Sequence, residues 1–442
     1  MRRAFVALVA LLVSLPLCAQ QMDNRAEWRF SKSKSFKLSD TYLETGVFPT
    51  VAGIKDAGIS FRRKGKIAEV ALNEKGYPTA ASKCGDYWLF EVPSEKVQPG
   101  TVIDLFIPFI GNEGERNNFM LEYSDGKRWH EVAQVRTTTS HKHPERLWQS
   151  VRLENLRPKY NKVSLRLRQL DKAQIQSAIA CLSPRGQQPQ IVIYDNAVPR
   201  DTLKMLFLGN SYTYYHTYPA IMKEIAWREG HYVDGSIFIS GGYTMKAHMA
   251  NRHSMEKVDK GGYDYVMLQD QSILPTLNGT ADDAGSAMEM TKMIMRVRKS
   301  SPDAKVMLEI TWGRRYGNNN FGKYEKYVNL YPHFYSDYDA MQNRLIEVVT
   351  AEAVHNDAQV TPVGYAWQIV MHERPDINLY HKDNHHQSYA GSYLAAAVAY
   401  LTVYGEKFGS NPADGKLDSS TAAYLRSVAE RVVLGGEKWC EK

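Results

Sequence analysis

The hydrophobic pattern changes period once, near residue 200, and no other feature of the sequence constrains the fold as much. From Trp28 to Tyr194 apolar residues tend to recur at every second position. In "VSLRLR", Val163, Leu165 and Leu167 face one way while Ser164, Arg166 and Arg168 face the other, which suits a half-buried antiparallel strand. "TVIDLFIPFI" and "FMLEYSDGKRWHEV" are strand-like too, and Asp125-Gly126 in the second is a hairpin signal. Many short strands punctuated by Gly, Asp and Pro predict an all-β, jelly-roll-like sandwich over 22–200. Beyond a linker carrying Pro184, Pro189 and Pro199 the texture changes. "KMLFLG" precedes "AIMKEIAWREG", "YDYVMLQ" precedes "DDAGSAMEMTKMIMRVRKS", and "AKVMLEITW" precedes "SDYDAMQNRLIEVVTAEAVHN". Strand and helix in alternation predict an α/β domain with a mostly parallel sheet over 201–442.

The chain of 442 residues is long enough for both domains, and 43% apolar with 23% charged residues is a globular composition. Its first residues, "MRRAFVALVALLVSLPLCA", read as a secretory signal peptide over 1–19. Arg2 and Arg3 form the basic end, Ala4 to Leu17 the apolar core, and Ala19 the cleavage point. Export to the periplasm or the exterior is therefore expected. Leu17 stands where lipid attachment to Cys18 would want a small residue, so no lipid anchor is expected. No later apolar run is long enough for a membrane helix. Of the four cysteines, cleavage removes Cys18 and leaves Cys84, Cys181 and Cys440. An odd number argues against a dense disulfide framework, although Cys84 and Cys181 could pair within the first domain. The formal charge of +7 is spread along the chain with no basic block, so no nucleic-acid partner is expected.

In open parallel sheets, ligands sit beyond the carboxyl ends of the strands. Gly209-Asn210-Ser211, Gln269 to Ser272, and Trp312 all fall at such ends. Ser211 has two readings: a helix N-cap, or a nucleophile. Ester chemistry by a serine needs a base, a group that orients the base, and donors for the oxyanion. "HKDNHHQSYAGSYLAAA" supplies His381, Asp383, His385 and His386 just before a helix. An Asp and a His three apart on a loop can hydrogen-bond, so Asp383 would hold the imidazole of His386 and leave its other nitrogen for Ser211. His385 is an alternative base, one residue removed from Asp383. The same histidines with Asp383 could instead bind a metal, but their spacing fits no ordinary zinc pattern. His248 reads as structural or as a pocket-rim residue. Trp312 could floor a substrate pocket or belong to the core. Tyr212, Tyr214, Tyr215 and Tyr218 could line a pocket or cover the sheet edge. Trp88, Trp129 and Trp148 could stack on sugars or pack in the first domain's core.

These motifs carry a resemblance. Residues 203–405 are similar to the SGNH (GDSL-type) hydrolases, through "FLGNSYT", "ISGGYTM", "VMLQDQS" and "DNHHQSYAGSYLAA" in that order. More narrowly they resemble a branch whose members carry G-N-S and L-Q-x-Q-S. The resemblance implies a flavodoxin-like parallel sheet flanked by helices and a triad of Ser211, His386 and Asp383. It implies oxyanion donors from the amides of Ser211 and Gly242 and the side chain of Gln271, and it calls for no cofactor and no metal. Asn210, Tyr212, Gln269 and Trp312 are the candidate pocket residues. Three positions depart from the family pattern. Asn210 replaces an aspartate, Gln271 replaces an asparagine, and Gln387 stands where proline is common. "YSDGKRWHEV" resembles a hairpin of galactose-binding-like sandwiches. Together these imply an exported esterase that deacylates, above all deacetylates, an ester-bearing saccharide. The alternative is a glycan-binding protein with a catalytically degenerate hydrolase domain.

Overall fold

In the computed structural model, the described residues are 24–439, apart from 29, 31–46, 50–51, 55, 74–75, 111–116, 138–144, 180–187, 195–198, 282–284, 318–321 and 411. The expected signal peptide, Cys18, Cys181 and Cys440 lie outside them. Cys84 is an exposed free thiol.

Among the described residues, the first half is a sandwich of two antiparallel sheets, one of eight strands and one of seven. Ile103, Leu105, Ile107 and Phe109 from one sheet meet Phe61, Trp88, Leu121, Leu165 and Leu167 from the other in a single core. The Asp125-Gly126 turn joins Asn117–Ser124 to Trp129–Thr137. Asp125 Oδ1 accepts the N–H groups of Lys127 and Arg128, both at 2.7 Å, and Gly126 takes φ +100°, which favours glycine. Trp88 is a core residue, hydrogen-bonded to Ser177 Oγ at 2.9 Å. Trp129 is half-buried beneath the Arg166 guanidinium, which lies 4.2 Å from its ring centroid.

Strand Thr101–Ile110 is buried along its whole length. Its odd-numbered residues from Ile103 to Phe109 fill the sandwich core. Asp104 and Phe106 face the other way, and Phe106 joins the core of the second domain together with Trp148. A strand covered on both faces reads as a continuous apolar run, which explains "TVIDLFIPFI". The interface has a buried charge at its centre. Lys223 Nζ lies 2.6 Å from Asp104 Oδ1 and 2.6 Å from Ser150 Oγ, and above the Tyr232 ring at 4.4 Å. Asp104 also accepts hydrogen bonds from Trp148 Nε1 and Tyr194 Oη, each at 3.2 Å. Burial lowers the pKa of Lys223 against the pull of Asp104. The backbones approach so closely here that a Cβ on Gly235 would fall 2.3 Å from the Trp148 ring.

The second half has a parallel sheet of five strands, Asp201–Gly209, His231–Ile239, Tyr265–Leu268, Lys305–Glu309 and Gln359–Thr361. Their spatial order is second, first, third, fourth, fifth, the flavodoxin-like order. Alternation along the first strand sends Met205 and Phe207 to one face and Leu206 and Leu208 to the other. Helices Tyr218–Arg228 and Tyr389–Tyr404 pack on the first face; Arg252–Lys260 and Ala287–Ser300 pack on the second. The order reverses between the first and third strands, which opens a crevice at their carboxyl ends. No helix of the described residues is long and apolar enough to cross a membrane.

Candidate active site

The first parallel strand ends at Gly209, and a short helix, Ser211–Tyr214, follows at once. Its N-cap is Asn210, whose Oδ1 accepts the Tyr212 N–H at 3.1 Å. The Asn210 side-chain amide also donates to the Tyr243 carbonyl at 2.9 Å. Asn210 therefore performs the capping that the sequence allowed Ser211. Ser211 becomes the first helical residue, where a backbone N–H has no intrahelical acceptor. The turn is braced from behind by Gln269, whose Oε1 accepts the Asn210 N–H at 3.0 Å and the Thr213 hydroxyl at 2.9 Å.

A cleft of about 340 Å³ opens above this turn, lined by Ser211, Gly241, Gly242, Gln271, Ser272, Arg314, His385 and His386, with Asn210, Tyr212 and Tyr214. Two expected pocket residues are absent from the lining. Gln269 is buried as the brace just described. Trp312 is fully buried, stacked between Tyr212 at 4.6 Å and Trp367 at 4.2 Å, and its Nε1 donates to the His385 carbonyl at 3.0 Å. Position at a strand end placed both near the site, but did not reveal that their side chains turn inward.

On the opposite wall, His386 Nδ1 donates to Asp383 Oδ2 at 2.8 Å, and Asp383 Oδ1 accepts the backbone N–H of His386 at 3.0 Å and of His385 at 3.2 Å. Burial pushes the Asp383 carboxyl up, but the His386 hydrogen bonds outweigh it and hold the group well below the usual carboxylate range. The hydrogen bond fixes the tautomer, with the proton on Nδ1. His385 lines the cleft as well. Its Nδ1 sits 3.3 Å from the Asp383 carbonyl, and burial, followed by the charges of His386 and Arg314, lowers its pKa to about 4. Ligand atoms of Asp383, His385 and His386 lie within 4.8 Å of one another, close enough to hold a metal. Asp383 Oδ1 already accepts two N–H groups and Oδ2 one.

Gln387, expected only as a departure from the family pattern, and Tyr215, expected to line a pocket or cover the sheet edge, hold the wall in place. Gln387 is fully buried, and its Nε2 donates to the Tyr212 carbonyl at 2.5 Å, tying the histidine loop to the Ser211 helix. Tyr215 stacks on His386 with centroids 4.2 Å apart and planes 2° from parallel. The ring is presented by a strained turn, since His216 and Thr217 both have positive φ, 53° and 51°. Neither arrangement has a periodic or spacing signal in the sequence.

The expected oxyanion donors Ser211, Gly242 and Gln271 all line this cleft. Gly242 takes φ +70°, and a Cβ there would meet nothing within 4 Å, so the residue faces open cleft. Gln271 Oε1 accepts the N–H groups of Ile273 at 2.7 Å and Leu274 at 3.2 Å. Two donors at one end of the amide require oxygen there, so the NH₂ is the other end. Asp270 fixes the segment by accepting from Gln271 N at 2.7 Å and Met245 N at 3.1 Å, and burial raises its pKa to about 6. His248 is structural. It bridges Ser254 Oγ at 2.9 Å and the Gly209 carbonyl at 3.1 Å, and burial lowers its pKa to about 4.

No protein-family model matches the chain, and no curated protein matches it. Among solved structures, it is similar to a DUF4886 family protein from Bacteroides uniformis, at 18% identity and a TM-score of 0.45, over 55% of this chain and 98% of that one. It is also similar to a family two carbohydrate esterase from Clostridium thermocellum, at 14% identity and a TM-score of 0.32, over 76% and 95% of the two chains. A lipase/acylhydrolase from Enterococcus faecalis is similar at 14% identity and a TM-score of 0.34, over 48% and 100%.

Proposed function

We propose that the protein is a serine esterase that removes an acyl group, with acetyl favoured, from a carbohydrate. The observation that carries this reading is the pairing of His386 Nδ1 with Asp383 on the wall of a cleft that Ser211 also lines. In the proposed reaction, Ser211 Oγ attacks the ester carbonyl while His386 Nε2 takes the hydroxyl proton. The oxyanion binds the amides of Ser211 and Gly242 and the Gln271 NH₂. The tetrahedral species expels the alcohol, which takes the proton from His386. Water, deprotonated by the same nitrogen, then releases the acid.

Three substitutions relative to the family pattern underlie the alternative of a degenerate, glycan-binding protein. Each has a supporting contact: Asn210 caps the helix, Gln271 is anchored through its oxygen, and Gln387 clamps the histidine loop. The saccharide rests on the sequence resemblance of both halves, and export rests on the leader. Release of nitrophenol from 4-nitrophenyl acetate, measured beside Ser211→Ala, tests the reaction. Turnover that vanishes in the variant is the expected result, and turnover that survives in it sinks the reading.

A further inference from the structure

Arg146, in the sandwich strand Glu145–Leu153, reaches across to the second domain and touches two parts of the candidate active site at once. It is 6% exposed. Its Nη1 donates to the Ile239 carbonyl at 3.2 Å. Ile239 is the last residue of the parallel strand His231–Ile239, which stands at one edge of the five-stranded sheet. The same guanidinium lies over the Tyr214 ring, with Cζ 4.0 Å from the centroid. Tyr214 ends the short helix that begins with Ser211, and it lines the cleft.

Just past Ile239 come Gly241 and Gly242, both of which line the cleft, and the Gly242 amide is an expected oxyanion donor. Two adjacent glycines leave a backbone loose unless its ends are held, because glycine has the widest choice of φ and ψ. From the side of the nucleophile, the Ser211 turn does the holding. The Ser240 N–H donates to the Gly209 carbonyl at 3.3 Å, and the Asn210 side-chain amide donates to the Tyr243 carbonyl at 2.9 Å. From the side of the sandwich, Arg146 does it at Ile239. Arginine suits both of its contacts, since a planar guanidinium donates N–H groups to a carbonyl and stacks on an aromatic ring. The position of the loop matters to the chemistry. A reacting group or donor misplaced by about 1 Å can cost on the order of 100-fold in rate.

We propose that Arg146 is a positioning residue for the esterase reaction. Through it the sandwich sets the Gly242 amide against the Ser211 helix, so the first domain takes part in the chemistry that the second performs. The inference rests on the esterase reading above.

The test follows kcat and KM on 4-nitrophenyl acetate in the full chain. Arg146→Met keeps the aliphatic stem and loses the N–H donors. It should lower kcat by about 10- to 100-fold with KM changed less than about threefold, the pattern of a misplaced transition-state donor. Arg146→Lys, which keeps the charge and one donor group, should recover part of kcat. Ser150→Ala is the control for a loosened interface. It lies on the same strand and loses the contacts of Ser150 Oγ with Asp104 and Lys223, none of which lines the cleft. Its thermal midpoint should fall while its kcat stays native. Native kcat in Arg146→Met overturns the proposal. So does an Arg146→Lys no faster than Arg146→Met, or a loss of kcat in Ser150→Ala as large as that in Arg146→Met. If Arg146→Met does not fold, Arg146→Lys decides: a partial loss of kcat upholds the proposal and native kcat overturns it. Ser211-dependent turnover by the native protein keeps the esterase reading standing in each of these cases; its absence removes that reading and this proposal with it.

Discussion

Tyr215 lies flat on His386, 4.2 Å between ring centroids. The stack fixes the ring plane of the imidazole, as the Asp383 hydrogen bond fixes its tautomer. Stacked aromatic pairs contribute about 0.5–1.5 kcal/mol beyond their buried area. Tyr215→Ala should therefore lower kcat on 4-nitrophenyl acetate by up to about tenfold, while Tyr215→Phe stays near the native value. Equal kcat in the alanine variant would show that the ring orients nothing.

Gln271 lines the cleft, and its amide oxygen is taken by the N–H groups of Ile273 and Leu274. Gln271→Ala should cost about 100- to 1000-fold in kcat with a smaller change in KM, the usual effect of losing one oxyanion donor. Gln271→Asn should recover part of it, with an amide one methylene shorter. An alanine variant with native kcat would leave the oxyanion to the two backbone amides.

Among the described residues, Asp104 is the single carboxylate hydrogen-bonded to the buried Lys223. Asp104→Ala leaves that ammonium without its counter-charge, and breaking a buried pair from one side costs about 3–5 kcal/mol. Thermal unfolding should show a lower midpoint for Asp104→Ala than for the double variant Asp104→Leu with Lys223→Met, which removes both charges. The reverse order would contradict the account of the interface.

Glu309 is buried, receives the Tyr218 hydroxyl, and has its pKa raised by burial to about 7. In the unfolded chain the same carboxyl titrates at about 4.5. Between those values the folded state binds more protons, so stability falls as pH rises from about 4.5 to 7 and stays reduced above it. The loss is on the order of 3 kcal/mol. Glu309→Gln should unfold like the native protein at pH 5 and be more stable at pH 8. A variant no more stable at pH 8 would place the proton elsewhere.

Both Asp383 oxygens are engaged by N–H donors. Dialysis against EDTA should accordingly leave turnover of 4-nitrophenyl acetate unchanged. Activity lost on chelation and restored by zinc would make the histidine loop a metal centre.

What the sequence disclosed follows from the range of each interaction. Val163 to Arg168 alternate and Met205 to Leu208 form a short apolar run, so the sandwich and the parallel sheet are legible from local pattern. Asp383 and His386 are three apart, so their hydrogen bond is legible too. Asp104 and Lys223 are 119 residues apart with no pattern linking them, and their pairing appears only when the two domains meet. Gln269 and Trp312 were legible in position and misleading in direction, because a strand end does not say which way its last side chains turn. Tyr215 acts through its ring stack on His386 and Gln387 through hydrogen bonds from its side-chain amide, and neither kind of contact recurs along the chain.

The strand Thr101–Ile110 also bears on how the molecule comes into being. On the ribosome the sandwich emerges first, with Phe106 exposed and Asp104 lacking its lysine until about 120 further residues have been made. The first domain is therefore unfinished in isolation, a half-interface waiting for the rest of the chain. A gene cut at residue 200 would leave Asp104 without Lys223 and Phe106 without the second domain's core.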